Sequence, residues 1–252
     1  LGDLIQQSFR FRSESKTYID EDYNRNELSS YLLDDETTLA EFSKLKGQLI
    51  HYALRKNLIR EELPVFVEEK LKNSFTENIS ELLKTEILND LFLFYDSDEY
   101  KFLNSFTNYR NEFEAYLKEE DFYLFGILDK IIIEENKITI VDYKTDNIIK
   151  NEINTVAQKY LPQLKFYAYI ISRLFNKKQQ VEGRIIFIKY PENPFIFNFD
   201  ETADQTIKSN IKSMIQSIRN NNYSVNLSAC KDCIFADENL QCVKSSIELK
   251  IN

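Results

Sequence analysis

Two short stretches hold the residues whose types and spacing could do chemistry. One is Gly126-Ile127-Leu128-Asp129 and the other is Ile140-Val141-Asp142-Tyr143-Lys144-Thr145. In an extended strand, successive side chains point to opposite faces. Val141 and Tyr143 then share one face, and Asp142 and Lys144 share the other, so a carboxylate and an ammonium stand side by side. Glu135-Asn136 lies between this stretch and the preceding apolar run, and predicts a tight hairpin turn. Folding about that turn sets Asp129 opposite about Asp142, because their residue numbers share the sum of the turn residues. Two carboxylates and one Lys are expected to converge on one spot. Such a cluster suits phosphodiester hydrolysis. Mg2+ prefers few carboxylates and keeps several waters. It neutralises charge in the transition state and acidifies a bound water. A neighbouring Lys can orient or deprotonate that water and stabilise the developing charge. The same pattern also arises as a structural ion pair on a solvated sheet face.

The elements that must position these residues follow from periodicity. Over residues 38–60, Leu39, Phe42, Leu45, Leu49, Ala53 and Leu54 recur at helical spacing. Glu61-Glu62-Leu63-Pro64 is expected to end that helix, since Pro cannot continue it. Two more helical patterns cover 65–74 and 79–92. Residues 109–117, 122–134 and 137–143 are rich in Phe, Tyr, Ile and Val, and read as strands. A helix is expected from Tyr160 to about Phe175, with Leu164, Tyr167, Ala168 and Ile171 on one face. Strands follow at 181–190 and 195–199, then a helix from Asp200 to Arg219 capped by Asp200 or Thr202. This order predicts a mixed sheet flanked by helices, an α/β or α+β domain with a helical N-terminal portion. The expected division is a helical part over 1–100, a core over 101–225 and a cysteine-containing tail over 226–252. Residues 1–35 read as a polar lead-in.

The bulk properties bound the alternatives. The 252 residues suffice for one good-sized core or two small domains. Four Gly and four Pro leave little room for flexible linkers. No apolar run approaches the roughly 18 residues of a membrane span, and Leu1-Gly2-Asp3 lacks the basic-then-apolar pattern of a secretory signal, so none is expected. The start at Leu1, without an initiator Met, leads us to expect a piece of a longer polypeptide. A net charge of −9, taken alone, argues against a nonspecific basic nucleic-acid coat. It leaves open an enzyme that holds its substrate through bound cations and a few Lys and Arg. Three clustered cysteines do not read as a secreted disulfide framework, so a reducing, cytoplasmic setting is expected.

Gly-x-x-Asp on one strand, followed by Asp-Tyr-Lys-Thr ending the next, resembles the RecB-type branch of the PD-(D/E)XK nucleases. That branch is found at the C-termini of helicase–nucleases of the RecB, AddA and AddB kind. The family then carries a Gln and a Tyr on the following helix, and Gln163 and Tyr167 match at i and i+4. It carries a Gly-x-x-x-His upstream, matched by Gly47 and His51, the sole His. It also carries a Glu on the strand before Gly-x-x-Asp, for which Glu112 and Glu114 both qualify. The resemblance runs over about residues 44–170 and implies a restriction-endonuclease-like sheet. It implies Asp129, Asp142 and His51 as ligands of Mg2+ or Mn2+, helped by the Tyr143 backbone carbonyl, and Lys144 as the catalytic Lys. Gln163 and Tyr167 would support the site or touch the DNA backbone, or simply pack on the sheet. Thr145 would bond a phosphate or merely end the strand.

Cys230, Cys233 and Cys242 resemble the C-terminal cysteine cluster of the iron–sulfur subgroup of these nucleases. A [4Fe–4S] cluster needs four thiolates, so the fourth would lie outside this chain. Zinc with another ligand, or three free thiols, are the alternatives. The resemblance implies an exonuclease acting in DNA repair and recombination, taking single-stranded DNA from a helicase subunit or helicase domain. The competing expectation is a silent DNA-binding scaffold with the nuclease fold.

Overall fold

The computed structural model describes residues 35–72, 77–175 and 179–222. Most of the expected lead-in, and the tail with Cys230, Cys233 and Cys242, lie outside these residues.

Helix α1 spans Asp35–Arg55. Leu49, Ile50, Ala53 and Leu54 form its buried stripe. It stops five residues earlier than expected. Asn57 adopts φ 50°, the left-handed turn that ends helices, and the Leu58 N–H donates to the Ala53 carbonyl at 3.1 Å. Pro64 therefore ends nothing. It sits in the first turn of α2, Leu63–Leu71, where its missing N–H would have had no partner anyway. Helix α3 is Glu77–Asp96. A short helix that periodicity did not predict, α4, Asp98–Asn104, follows because the Ser97 hydroxyl accepts from Tyr100 N and restarts the turn.

Strands β1, Tyr109–Glu119, β2, Phe122–Ile133, and β3, Lys137–Lys144, come next. Helix α5, Ile153–Leu174, begins before the expected Tyr160 and runs through Pro162. Ile153 and Ala157 already lie buried on its core side. Strand β4 is Gln180–Phe187. It ends before Tyr190, whose N–H turns back onto the Phe187 carbonyl at 2.8 Å. Strand β5 is Phe195–Phe199, and α6, Glu201–Arg219, closes the described chain. Asp200 rather than Thr202 caps α6, its carboxylate accepting from Ala203 N at 2.8 Å.

The five strands lie in chain order. All neighbours are antiparallel except β3 and β4, which are parallel and joined by α5. The sheet is thus the expected mixed one, with a core on each face. Ile131, Ile138, Ile140, Ile185 and Phe187 meet α5 and α6 on one side. Ile132, Val141, Tyr143, Ile186 and Ile188 meet α1, α2, α3 and α4 on the other. Among the described residues no helix is long and apolar enough to cross a membrane.

Candidate active site

The site lies where β2 and β3 part. Their ladder runs from Ile133↔Ile138 to Lys130↔Val141, the register the turn predicts, and stops one pair short of Asp129 and Asp142. Strand β3 continues beside β4 to Lys144↔Phe187, while β2 continues beside β1. A notch opens between them, with Asp129 on one wall and Asp142 and Lys144 on the other. Asp129 Oδ2 accepts the Tyr143 N–H at 2.8 Å, replacing the carbonyl that an unbroken ladder would have offered.

The parting has a local cause. Strands β1 and β2 both change faces here. Phe113, Ala115, Leu124 and Leu128 pack into the core under α5, whereas Tyr109 and Ile132 pack into the other core. The β1–β2 ladder steps from Asn111↔Lys130 to Phe113↔Leu128, passing over Glu112 and Asp129. Glu112 takes φ 45°, a left-handed conformation that disfavours a side chain by roughly 1–2 kcal/mol. Asn111 holds the kink through Nδ2, which donates to the Leu54 carbonyl at 3.0 Å.

Helix α1 closes the notch. His51 Nδ1 stands 3.4 Å from Asp129 Oδ1. One turn earlier, a Cβ on Gly47 would lie 3.0 Å from Thr145 Oγ1, so Gly47 lets the helix approach the end of β3. On the opposite wall, Lys144 Nζ lies 2.8 Å from Asp142 Oδ2, both side chains nearly buried. The same ammonium is 3.4 Å from Gln163 Oε1 and 4.3 Å from the centroid of the Tyr160 ring. Gln163 Nε2 donates to the Tyr167 hydroxyl at 2.8 Å. The Tyr167 ring lies on Gly126, where a Cβ would meet it at 2.8 Å. Tyr167 therefore packs on the sheet and bonds Gln163 at once. Tyr160 is a site neighbour that sequence reasoning missed, and its hydroxyl donates to Asp146. Its spacing to Gln163 and Tyr167, i, i+3 and i+7, was the available signal.

Electrostatics separate the two carboxylates. Burial pushes Asp129 up, but His51, Lys144 and the Tyr143 N–H outweigh it and hold Asp129 below the usual carboxylate range. Asp142 is pushed above that range by burial and by the charge of Asp129, despite Lys144. Burial lowers His51, yet Asp129 beside it raises it overall. Paired carboxylates driven apart in this way are common where one site must handle a cation or a proton.

Glu112 and Glu114 now differ. Glu112 pairs with Arg55 of α1 at 3.1 Å, one turn beyond His51. Glu114 is exposed and accepts from Tyr116. Thr145 lies against α1 at Gly47.

Among the described residues, no group of three or more His, Cys, Asp or Glu is set to hold a metal ion by itself. The donor set present is two hard oxygens and one imidazole. Asp142 Oδ2 is enclosed and faces Lys144, but no hydrogen bond is aligned on it. The chemistry of these donors matches a dication that takes few protein oxygens and fills its shell with water, as Mg2+ does. They do not fit a closed structural cage.

A five-stranded mixed sheet that splits over an Asp, Asp and Lys cluster defines a class, and the sequence agrees. The model of the PD-(D/E)XK nuclease superfamily matches residues 21–237, and the chain belongs to that superfamily. Among curated proteins it is similar to the ATP-dependent helicase/nuclease A-subunit of Clostridioides difficile (strain 630), with 28% identity over 156 residues, 61% of this chain and 12% of the relative. The protein of the same name from Clostridium novyi (strain NT) is 27% identical over 198 residues, 68% of this chain and 16% of that one. In Streptococcus pneumoniae (strain CGSP14) the match is 37% over 70 residues, 28% of this chain and 6% of the relative. The chain thus spans a small part of the curated relatives it matches.

Proposed function

We propose that this chain is a Mg2+- or Mn2+-dependent DNA nuclease module, the exonuclease part of a helicase–nuclease that acts in DNA repair and recombination. The observation that carries this reading is the convergence of Asp129, Asp142, Lys144 and His51 at the notch, backed by Gln163 and Tyr167. The names of the relatives support the helicase partner.

Asp129 and Asp142, with His51 and the Tyr143 carbonyl, would hold the metal, which supplies charge neutralisation at the scissile phosphate and a more acidic water. Lys144 Nζ would present its N–H groups to the phosphate oxygen on which charge develops. Asp142, Gln163 and the Tyr160 ring fix the ammonium in place, so little reorganisation is needed during the step. Tyr167 in turn orients Gln163.

The test compares cleavage of end-labelled single-stranded DNA by wild type, Lys144→Ala and Asp142→Ala in Mg2+ and in Mn2+. Lys144→Ala is expected to lose at least about 10²-fold in rate while keeping Mn2+ binding by calorimetry. Asp142→Ala is expected to lose both. A wild type that neither cleaves DNA nor binds Mn2+ at this site would instead be a DNA-binding scaffold.

A further inference from the structure

The β1–β2 hairpin carries aromatic side chains that both cores leave outside. Tyr116 and Tyr123 are 57% and 69% exposed. Tyr116 stands opposite Phe125, and their rings are 4.5 Å apart. Lys118 stands opposite Tyr123. By strand alternation Tyr123, Phe125 and Ile127 share the outer face, and they lead along β2 to Asp129. Phe125 lies four positions before Asp129, a run of ~13 Å.

An independent feature flanks Asp129 on the α1 side. Tyr52 follows His51, and its ring stacks on Phe66 of α2 at 5.2 Å. Three cations surround that ring: Arg55 at 4.7 Å, Lys56 at 5.8 Å and Lys70 at 5.5 Å. Such a gathering of positive charge runs against the chain's net −9. It adjoins the hairpin directly, because Arg55 pairs with Glu112 of β1. At the hairpin tip, Glu120 and Asp121 face Lys212 and Arg219 of α6, which offset their charge.

We propose that the cation cluster on α1 and α2 and the aromatic face of the hairpin form one track for a single strand of DNA entering the notch. The proposal rests on the nuclease reading and assigns the surface that guides its substrate to the notch. Arg55, Lys56 and Lys70 take the phosphates, and Tyr116, Phe125 and Tyr123 take the bases. Cations along a backbone and aromatic faces for bases are the two ingredients of single-strand binding. A duplex would offer the phosphates but keep its base faces stacked inside.

The test measures fluorescence anisotropy of labelled oligo-dT with the 252-residue chain in EDTA. A Tyr116→Ala/Tyr123→Ala variant, altered at exposed positions, is expected to bind at least about tenfold more weakly with an unchanged thermal midpoint. An abasic strand of the same length is expected to bind wild type as weakly as oligo-dT binds the variant. Lys56→Gln/Lys70→Gln is expected to flatten the log–log salt dependence by about 1.4, two phosphate contacts on a single strand. Unchanged oligo-dT affinity in the tyrosine variant, or equal binding of abasic and dT strands, would overturn the track. The readout needs no metal and no cleavage. A failure of Lys144→Ala to impair cleavage would therefore remove the nuclease reading without touching these measurements.

Discussion

At the scale of single residues, two glycines show how tightly the notch is built. Gly126 and Gly47 precede Asp129 and His51 in their motifs, and each is small for a contact reason. The Tyr167 ring occupies the space of a Gly126 side chain, and Thr145 Oγ1 borders that of Gly47. Gly126→Ala forces the ring off the strand and disturbs the chain from Tyr167 through Gln163 to Lys144. We expect a loss of about 1–3 kcal/mol in stability from overpacking, read by urea denaturation. Pairing it with Tyr167→Leu, which removes the planar ring edge, is expected to recover part of that loss. Strictly additive costs in the double variant would show that the ring contact is not the cause.

At the scale of elements, a buried charge network ties α4 to the central strands. Glu182 of β4 is held by Lys137 of β3 at 2.9 Å and by Arg184 at 2.8 Å. Arg184 also reaches Glu99 of α4 at 2.8 Å and lies over the Phe102 ring. Burial pushes Glu182 up, but hydrogen bonds from Lys137 and Arg184 win and hold it below its ordinary 4.5. The folded carboxyl is thus the stronger acid. Its contribution is fully present above the unfolded value and is lost as pH falls through the lower folded one. Wild-type stability should decline between about pH 5 and about pH 3 in part for this reason. Glu182→Gln, less stable at neutral pH, should decline less over that window in thermal melts. An acid limb identical in the two proteins would remove Glu182 from the account.

At the scale of the whole molecule, the sheet serves both cores. Ile132, Val141, Tyr143, Ile186 and Ile188 are covered by the helices before residue 105. Tyr143 sits between Asp142 and Lys144 on β3, and its ring meets Phe94 of α3 at 5.5 Å. The helical part therefore braces the notch from behind as well as supplying His51. A fragment starting at Ser105 would expose this apolar face. It is expected to aggregate and to show no cooperative unfolding by circular dichroism. A soluble, cooperatively folding fragment would establish the region after residue 100 as an independent unit.

Local chemistry was sufficient for much of this. Alternation placed Asp142 and Lys144 on one face, and the Glu135-Asn136 turn set the β2–β3 register, because both depend only on neighbouring residues and a period of two. The helical spacing of Gln163 and Tyr167 was legible for the same reason. What the tertiary structure alone decided involves contacts between distant segments. The face switch at Glu112 and Asp129 ends the ladder just where it would have paired the two carboxylates, and no local periodicity announces it. Only packing brings His51 to Asp129, and only packing separates Glu112, held by Arg55 of α1, from Glu114, bonded by Tyr116 of its own strand. A strand's own pattern says which way its side chains point, while the departure from that pattern is set by what α1 and α5 press against it.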